Sequence, residues 1–245
     1  MLRLLSLALF IGTWVLGSWL AGERMLPPPT AVAATIVAEA RSGELFWQLG
    51  ITLARVALAF SLAMAVGVAI GFLMGRVSLA DRIGDPWLIV LLNLPALVII
   101  VLAYIWGGLT EAAAILAVAV NKVPNAVVVI REGARALDPA LDDVARVFAM
   151  PRWKVLRHIV VPQLAPYVAA AARSGLALVW KIVLVVELLG RPNGVGFEIG
   201  VAFQLFDVTR ILAYALAFVA VILAIETLLV QPFERRASRW RVQPA

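Results

Sequence analysis

EGARALDPALDDVARVFAMPRWKVLRHIVVPQ, residues 132–163, is a long polar stretch set between apolar runs, and its reading decides the fold. Pro139 starts a helix just inside its N-terminus, where its missing N–H costs nothing. Leu141, Val144, Ala145 and Phe148 then recur at helical spacing, with Asp142, Asp143 and Arg146 on the other side. Met150 precedes Pro151 and is pushed out of the helical region, so a bend is expected there. From Pro151 a second short helix puts Trp153, Leu156 and Ile159 on one face and Arg152, Lys154 and Arg157 on the others. Pro162 marks the expected entry to the next apolar run. Two short amphipathic helices with aromatic residues at their bend fit two roles. They suit a docking surface for another protein, or a pair of interfacial helices lying on anionic lipid.

Outward from this stretch the chain is apolar. Of its 245 residues 63% are hydrophobic and 15% charged, where about 45–50% and about 25% are usual. A water-soluble globule of this size cannot hide so much apolar side chain, so the chain reads as one all-α integral membrane domain over 1–245. Apolar runs, charge-free over 4–22, 56–75 and 86–110 and interrupted by charge in the last three, place six transmembrane helices at about 4–22, 50–75, 86–108, 111–131, 164–188 and 209–231, each near the roughly 20 residues that a crossing needs. The first is read as an uncleaved anchor, since bulky Trp19 stands where signal cleavage wants a small residue. Thr30 is the expected N-cap of a short external helix over about 31–41, closed by Ser42-Gly43. Outside the spans, Arg3, Arg76, Arg82, Arg131, Arg135, Arg146, Arg152, Lys154, Arg157, Arg235, Arg236, Arg239 and Arg241 fall on one side; Arg24, Arg41, Arg191 and Arg210 fall on the other. The positive-inside bias therefore places both termini and the 132–163 loop in the cytoplasm. The net charge of +6 is read the same way, not as a sign of nucleic acid.

Several chemistries are excluded. There is no cysteine and only one histidine, His158, so disulfides, thiolate metal sites and the usual zinc or haem sites are out. No Gly-x4-Gly-Lys-Ser/Thr phosphate loop occurs, so the chain has no recognisable means of hydrolysing ATP. Catalysis has no histidine or cysteine cluster to stand on, and no bound cofactor is expected. Within the spans, Ala59, Ala63, Gly67, Gly71 and Gly75 form a stripe of small residues that fits either ordinary helix packing or a seam beside a transport path. Asn93, Lys122, Asn125, Trp180, Lys181 and Glu187 are the candidate path residues, because charges and freed backbone groups at membrane depth must face protein, water or an interface. For the lysines, snorkelling to an interface or pairing with Glu187 or Glu226 of a neighbouring helix is the competing structural role. An ion-gradient-driven carrier, with the lysines and Glu187 handling protons, is the alternative to an ATP-driven transporter.

Asp143-Val144-Ala145, Ala149 and Ile159-Val160-Val161-Pro162 match the spacing of the Glu-Ala-Ala…Gly…Ile-x-Leu-Pro loop, so the chain resembles binding-protein-dependent ABC-transporter permeases. Leu26-Pro27-Pro28-Pro29-Thr30, Ser42-Gly43-Glu44-Leu45, Leu137-Asp138-Pro139, Val186-Glu187-Leu188 and Gly194-Val195-Gly196 make it similar to the nitrate/sulfonate/taurine branch, over about residues 26–233. The departures are Asp143 for Glu, Val144 for Ala and Ala149 for the turn glycine. A left-handed turn is disfavoured at Ala149, which moves the expected bend to Met150-Pro151. The resemblance implies a type I-like importer permease with a two-helix coupling loop. It also implies ATP-binding cassette subunits that carry ATP and magnesium, an extracytoplasmic solute-binding protein, a second permease copy and a bacterial inner membrane. It further assigns Asp143, Val144, Ala145, Arg146, Phe148, Ala149, Arg152, Trp153, Ile159 and Pro162 to the contact with the ATPase.

Overall fold

Inside hydrocarbon a backbone N–H or C=O finds no water, so a spanning segment must satisfy its own polar groups. Among the described residues, every regular element is accordingly helical. The computed structural model describes residues 2–232; Arg235, Arg236, Arg239 and Arg241, used above for orientation, lie outside the described residues. The helices are α1 (Leu2–Ala21), α2 (Pro29–Ser42), α3 (Glu44–Arg76), α4 (Ser78–Asn93), α5 (Ala96–Gly107), α6 (Glu111–Arg135), α7 (Pro139–Val147), α8 (Arg152–Val155), α9 (Val161–Gly190), α10 (Val195–Gln204) and α11 (Val208–Ile225). Among the described residues, four helices are long and apolar enough to cross a membrane: Glu44–Arg76, Glu111–Arg135, Arg152–Gly190 and Val208–Leu228. The bent pair of α4 and α5 makes a fifth if it is one broken span.

Three expectations need correction. The run expected as one span over 86–108 is broken, with α4 and α5 bent by 99°. Leu94 precedes Pro95 and takes extended backbone (ψ 127°), and Pro95 follows it there (ψ 133°). Thr30 does not cap α2. Pro28 occupies the N-cap position, and Pro29 supplies the first helical residue, its fixed φ already suited to a helix. Pro162 does not open a new helix either. α8 runs through a π-turn at Leu156–Val160 directly into α9. Pro162 has no N–H for the carbonyl four residues back, and the wider π-turn just before it, closed by Val161 N–H to the Leu156 carbonyl, lets the helix continue.

By packing, the chain forms two compact units: residues up to Ala54 with Leu184–Ala224, and Arg55–Val183 with Ile225 onward. In the first unit the α1–α2 turn is pinned by the Trp14 indole N–H donating to the Pro27 carbonyl at 3.0 Å. Gly43, at φ +83°, ends α2 in the left-handed conformation that glycine takes without strain. In the second unit the small-residue stripe is a backbone-to-backbone seam. A Cβ built on Gly67 would lie 2.5 Å from Ala126 Cβ, one on Gly71 2.8 Å from both Ile130 Cβ and the Val127 carbonyl, and one on Gly75 2.5 Å from Ala134 Cβ. α3 and α6 therefore touch along three turns at a distance that only glycine permits. Near the other end of α6, Arg55 grips Glu111 with both Nε (2.9 Å) and Nη2 (2.7 Å). Ile130 and Ala134 continue from the seam into a core with Met64, Leu164 and Ala171.

Replacing Gly71 with Val overpacks this seam and lowers stability by about 1–3 kcal/mol. Thermal unfolding of the detergent-solubilised chain reads this as a lower midpoint, and an unchanged midpoint contradicts the close approach.

Candidate functional site

The polar stretch folds into an elbow with one side fixed and the other bare. Asp138 caps α7, its Oδ1 accepting from Ala140 N–H at 2.9 Å, while its own N–H donates to Gln163 Oε1 at 2.9 Å. Asp142 accepts from Arg76 Nη2 at 2.8 Å, which ties α7 to the end of α3. Ala145 is buried, whereas Val144, Val147 (81% exposed) and Phe148 (74% exposed) are not. Arg146 and Asp143 pair on the solvated side at 3.1 Å. Arg152 and Trp153 (65% exposed) are also uncovered, Ile159 turns into the core, and Pro162 is exposed.

The bend itself lies one residue earlier than expected. Ala149 has φ +46°, with its N–H on the Arg146 carbonyl (3.0 Å) and Met150 N–H on the Ala145 carbonyl (2.9 Å). This is the double hydrogen bond that closes a helix through a left-handed residue. The turn keeps its geometry without glycine and holds Ala149 in a conformation costing roughly 1–2 kcal/mol for an L-residue. Below the elbow, Arg131 reaches Asp85 at 2.6 Å and Asp81 at 3.3 Å, and Arg135 reaches Asp81 at 2.5 Å. These pairs join α6 to α4.

The candidate path residues separate. Lys122 is fully buried, and its Nζ has no hydrogen-bond partner among the described residues. A charge at the centre of a span costs about 2.5–3.5 kcal/mol on insertion scales. The lysine fits because the facing residue on α9 is Gly175, where a Cβ would fall 1.9 Å from Lys122 Cε. Asn125, on the next turn of α6, is half-buried, and Trp180 is buried. Asn93 is exposed and turns its amide onto the Ile89 carbonyl (2.8 Å), and Lys181 is exposed. Arg173 lies 3.9 Å from Glu226, so that acid serves an arginine.

Glu187 belongs to the first unit and to a different assembly. Fully buried, it accepts from Thr52 Oγ1 and from Gly196 N–H, both at 2.9 Å. Thr52 Oγ1 also accepts from Val195 N–H at 2.9 Å, and Gln48 donates to Glu198 at 3.1 Å while accepting from Gly194 N–H. Glu198 faces Arg210 at 2.9 Å, and Tyr214 O–H donates to Glu39 at 3.0 Å. Burial pushes the Glu198 carboxyl above its usual range, against the opposing pull of Arg210 and with Glu44 and Glu39 adding to the rise. Gly194 (φ +106°) and Gly196 are needed here because a Cβ on either would meet Glu187 or the Leu184 carbonyl at 2.2–2.3 Å. The side chains of α3 and α9 thus clasp the turn-rich segment after Gly190. Among the described residues no group of three or more His, Cys, Asp and Glu is placed to hold a metal ion.

The family model for the binding-protein-dependent transport system inner membrane component matches residues 63–238. The chain belongs to that family. Over 240 residues it is 30% identical to a Bacillus subtilis (strain 168) protein named as an aliphatic sulfonates transport permease, covering 97% of this chain and 87% of that one. It is 28% identical over 240 residues to a Brucella abortus (strain 2308) protein named as an ABC transporter permease, covering 98% and 95%. An inward-facing structure of the MetNI methionine ABC transporter superposes with a TM-score of 0.68 at 16% identity, over 81% of this chain and 98% of that one. The fold of this permease is therefore shared with a chain of that solved ABC transporter.

Of the clasp, only Glu187 and its glycines stand out in the permease sequence. Gln48, Thr52, Glu198 and Tyr214 escape notice because each is an isolated polar residue in an apolar segment, and Arg210 enters only as a charge outside the spans. The signal available was their number near one end of the spans, not their spacing. Thr52→Val leaves the Val195 N–H and a Glu187 oxygen each one partner short at nearly constant volume, a loss of about 1–3 kcal/mol. Amide hydrogen exchange of residues 191–196 speeds up accordingly, and unchanged protection there rules out the clasp.

Proposed function

We propose that this permease is the gate of an ATP-driven importer for a small organic anion. In this reading six spans cross the inner membrane, α1 and the broken α4–α5 pair included, with both termini and the elbow in the cytoplasm. A separate pair of ATP-binding cassette subunits, carrying ATP and magnesium, grips the elbow. An extracytoplasmic binding protein hands the solute to the outer end, and a second copy of the chain completes the channel. The aliphatic sulfonates named for the Bacillus subtilis relative support an anionic cargo. The path runs past Lys122, Asn125 and Trp180. Asn93 and Lys181, both exposed, are available to a surface between copies, and Glu187 holds the outer segment in place.

The observation that carries this reading is the uncovered elbow. Val147, Phe148 and Trp153 stand exposed on a turn whose opposite side is fixed to α3 by Arg76 and to α9 by Gln163. Aromatic residues presented from a rigid base are what a partner's groove uses as anchors, and the base passes the partner's movement to the helices. Truncating Trp153 to Ala removes one anchor. In proteoliposomes with the ATPase and the binding protein, ATP-driven uptake falls about tenfold or more, while the ATPase keeps its unstimulated hydrolysis. Uptake at the original rate, at equal incorporation, contradicts the assignment. Uptake that persists on an ion gradient without ATP contradicts the ATP-driven mechanism as a whole.

A further inference from the structure

Resting on the permease reading above, we infer that Lys122, seated against Gly175, is an anion-binding residue inside the gate itself, taking the sulfonate or carboxylate group of the passing solute. The argument starts from what the ammonium lacks. It is fully buried, and no hydrogen-bond partner reaches it among the described residues. Among the described residues, the acids of its own unit are committed elsewhere, Glu132 to Arg135 among them. Glu111 is held by Arg55, Asp81 and Asp85 by Arg131 and Arg135, and Glu226 lies against Arg173. The loop acids are likewise spoken for by Arg76, Arg146 and the start of α7. A structural lysine at membrane depth is expected to pair with one of these acids or to run its stem out to an interface. Lys122 does neither.

The second observation is steric. Gly175 leaves the space that the lysine stem and ammonium occupy, since even an alanine Cβ would sit 1.9 Å from Cε and 2.4 Å from Nζ. A bare cation pressed on the backbone of the facing helix is a poor resting place in low dielectric, and an anion arriving between α6 and α9 relieves it. The charge of the solute thereby becomes part of what opens the gate. Selection for anions then operates in the membrane as well as in the binding protein, and a neutral analogue of equal size passes poorly even when delivered.

The test reads local potential and does not need the identity of the cargo. The chain has no cysteine, so Asn125→Cys, on the same face one turn from Lys122, provides a unique thiol; Ala119→Cys provides a second reporter on the preceding turn. In the assembled complex hydrolysing ATP, each is labelled with 2-sulfonatoethyl methanethiosulfonate and with its trimethylammonium counterpart. The two reagents are of similar size and opposite charge. The anion-to-cation rate ratio is expected to fall about tenfold or more when Lys122→Gln, or Lys122→Met as a second variant, removes the ammonium. An unchanged ratio at both reporters overturns the inference, as does failure of both reagents to reach either thiol during turnover. The same preparation reports hydrolysis stimulated by the binding protein, so failure of the permease reading shows there and not in the labelling ratio.

Discussion

Hydrocarbon offers no hydrogen bonds, so every polar group carried into it must meet a partner inside the protein. The structure follows this constraint in its backbone and in most of its buried charged side chains. Backbone groups are satisfied in helices. Arg55 meets Glu111, Arg131 meets Asp81 and Asp85, and Glu187 draws Thr52 and a backbone N–H to itself. Where the helix is interrupted, the interruption is local and compensated, as in the π-turn ahead of Pro162. The glycine seam between α3 and α6 meets a related demand. Apolar side chains gain nothing by leaving lipid for each other, so the two helices must gain by close contact instead.

Against that background two features stand apart. Among the described residues, Lys122 is buried without a hydrogen-bond partner, and the elbow exposes aromatic side chains from a fixed base. Both leave an interaction open that the chain itself does not close. The elbow joins the end of α3 and the long helix from Arg152 to Gly190, and α6 enters it directly through Arg135 and the turn at Ala136. Movement imposed on Phe148 is therefore felt by the helices that hold Lys122 and Gly175. In the proposed mechanism, the partner's movement at the elbow reaches that internal charge through α6 and the long helix from Arg152 to Gly190.

Much of this was legible in the residues, and the exceptions have physical causes. Long apolar runs with few or no charges revealed the helices because charge is the costliest thing to insert. The periodic Gly67, Gly71 and Gly75 revealed the seam because side-chain size sets how closely backbones approach. Asn93 was singled out for freed backbone groups, but its identity carries no angle, and the 99° bend depends on how α5 folds back on α6. Ala149 was misjudged because propensity disfavours a left-handed alanine, whereas hydrogen bonds from Ala149 and Met150 to α7 outweigh that preference. Pro162 was taken for a boundary because proline ends most helices, and nothing in the sequence announces a π-turn that absorbs it. The clasp around Glu187 was only partly legible because its α3 members, Thr52 and Gln48, lie more than a hundred residues from the Glu187 and Glu198 they meet.

The position of the elbow relative to the membrane tests the account most directly. Phe148→Cys gives a single thiol in a chain that otherwise has none, and a membrane-impermeant maleimide reports which side it faces. Labelling in inside-out vesicles, blocked when the ATPase subunit is bound and absent in sealed right-side-out vesicles, is the predicted result. Labelling from the outside of intact vesicles would contradict it, since no nucleotide-driven partner could then reach the turn.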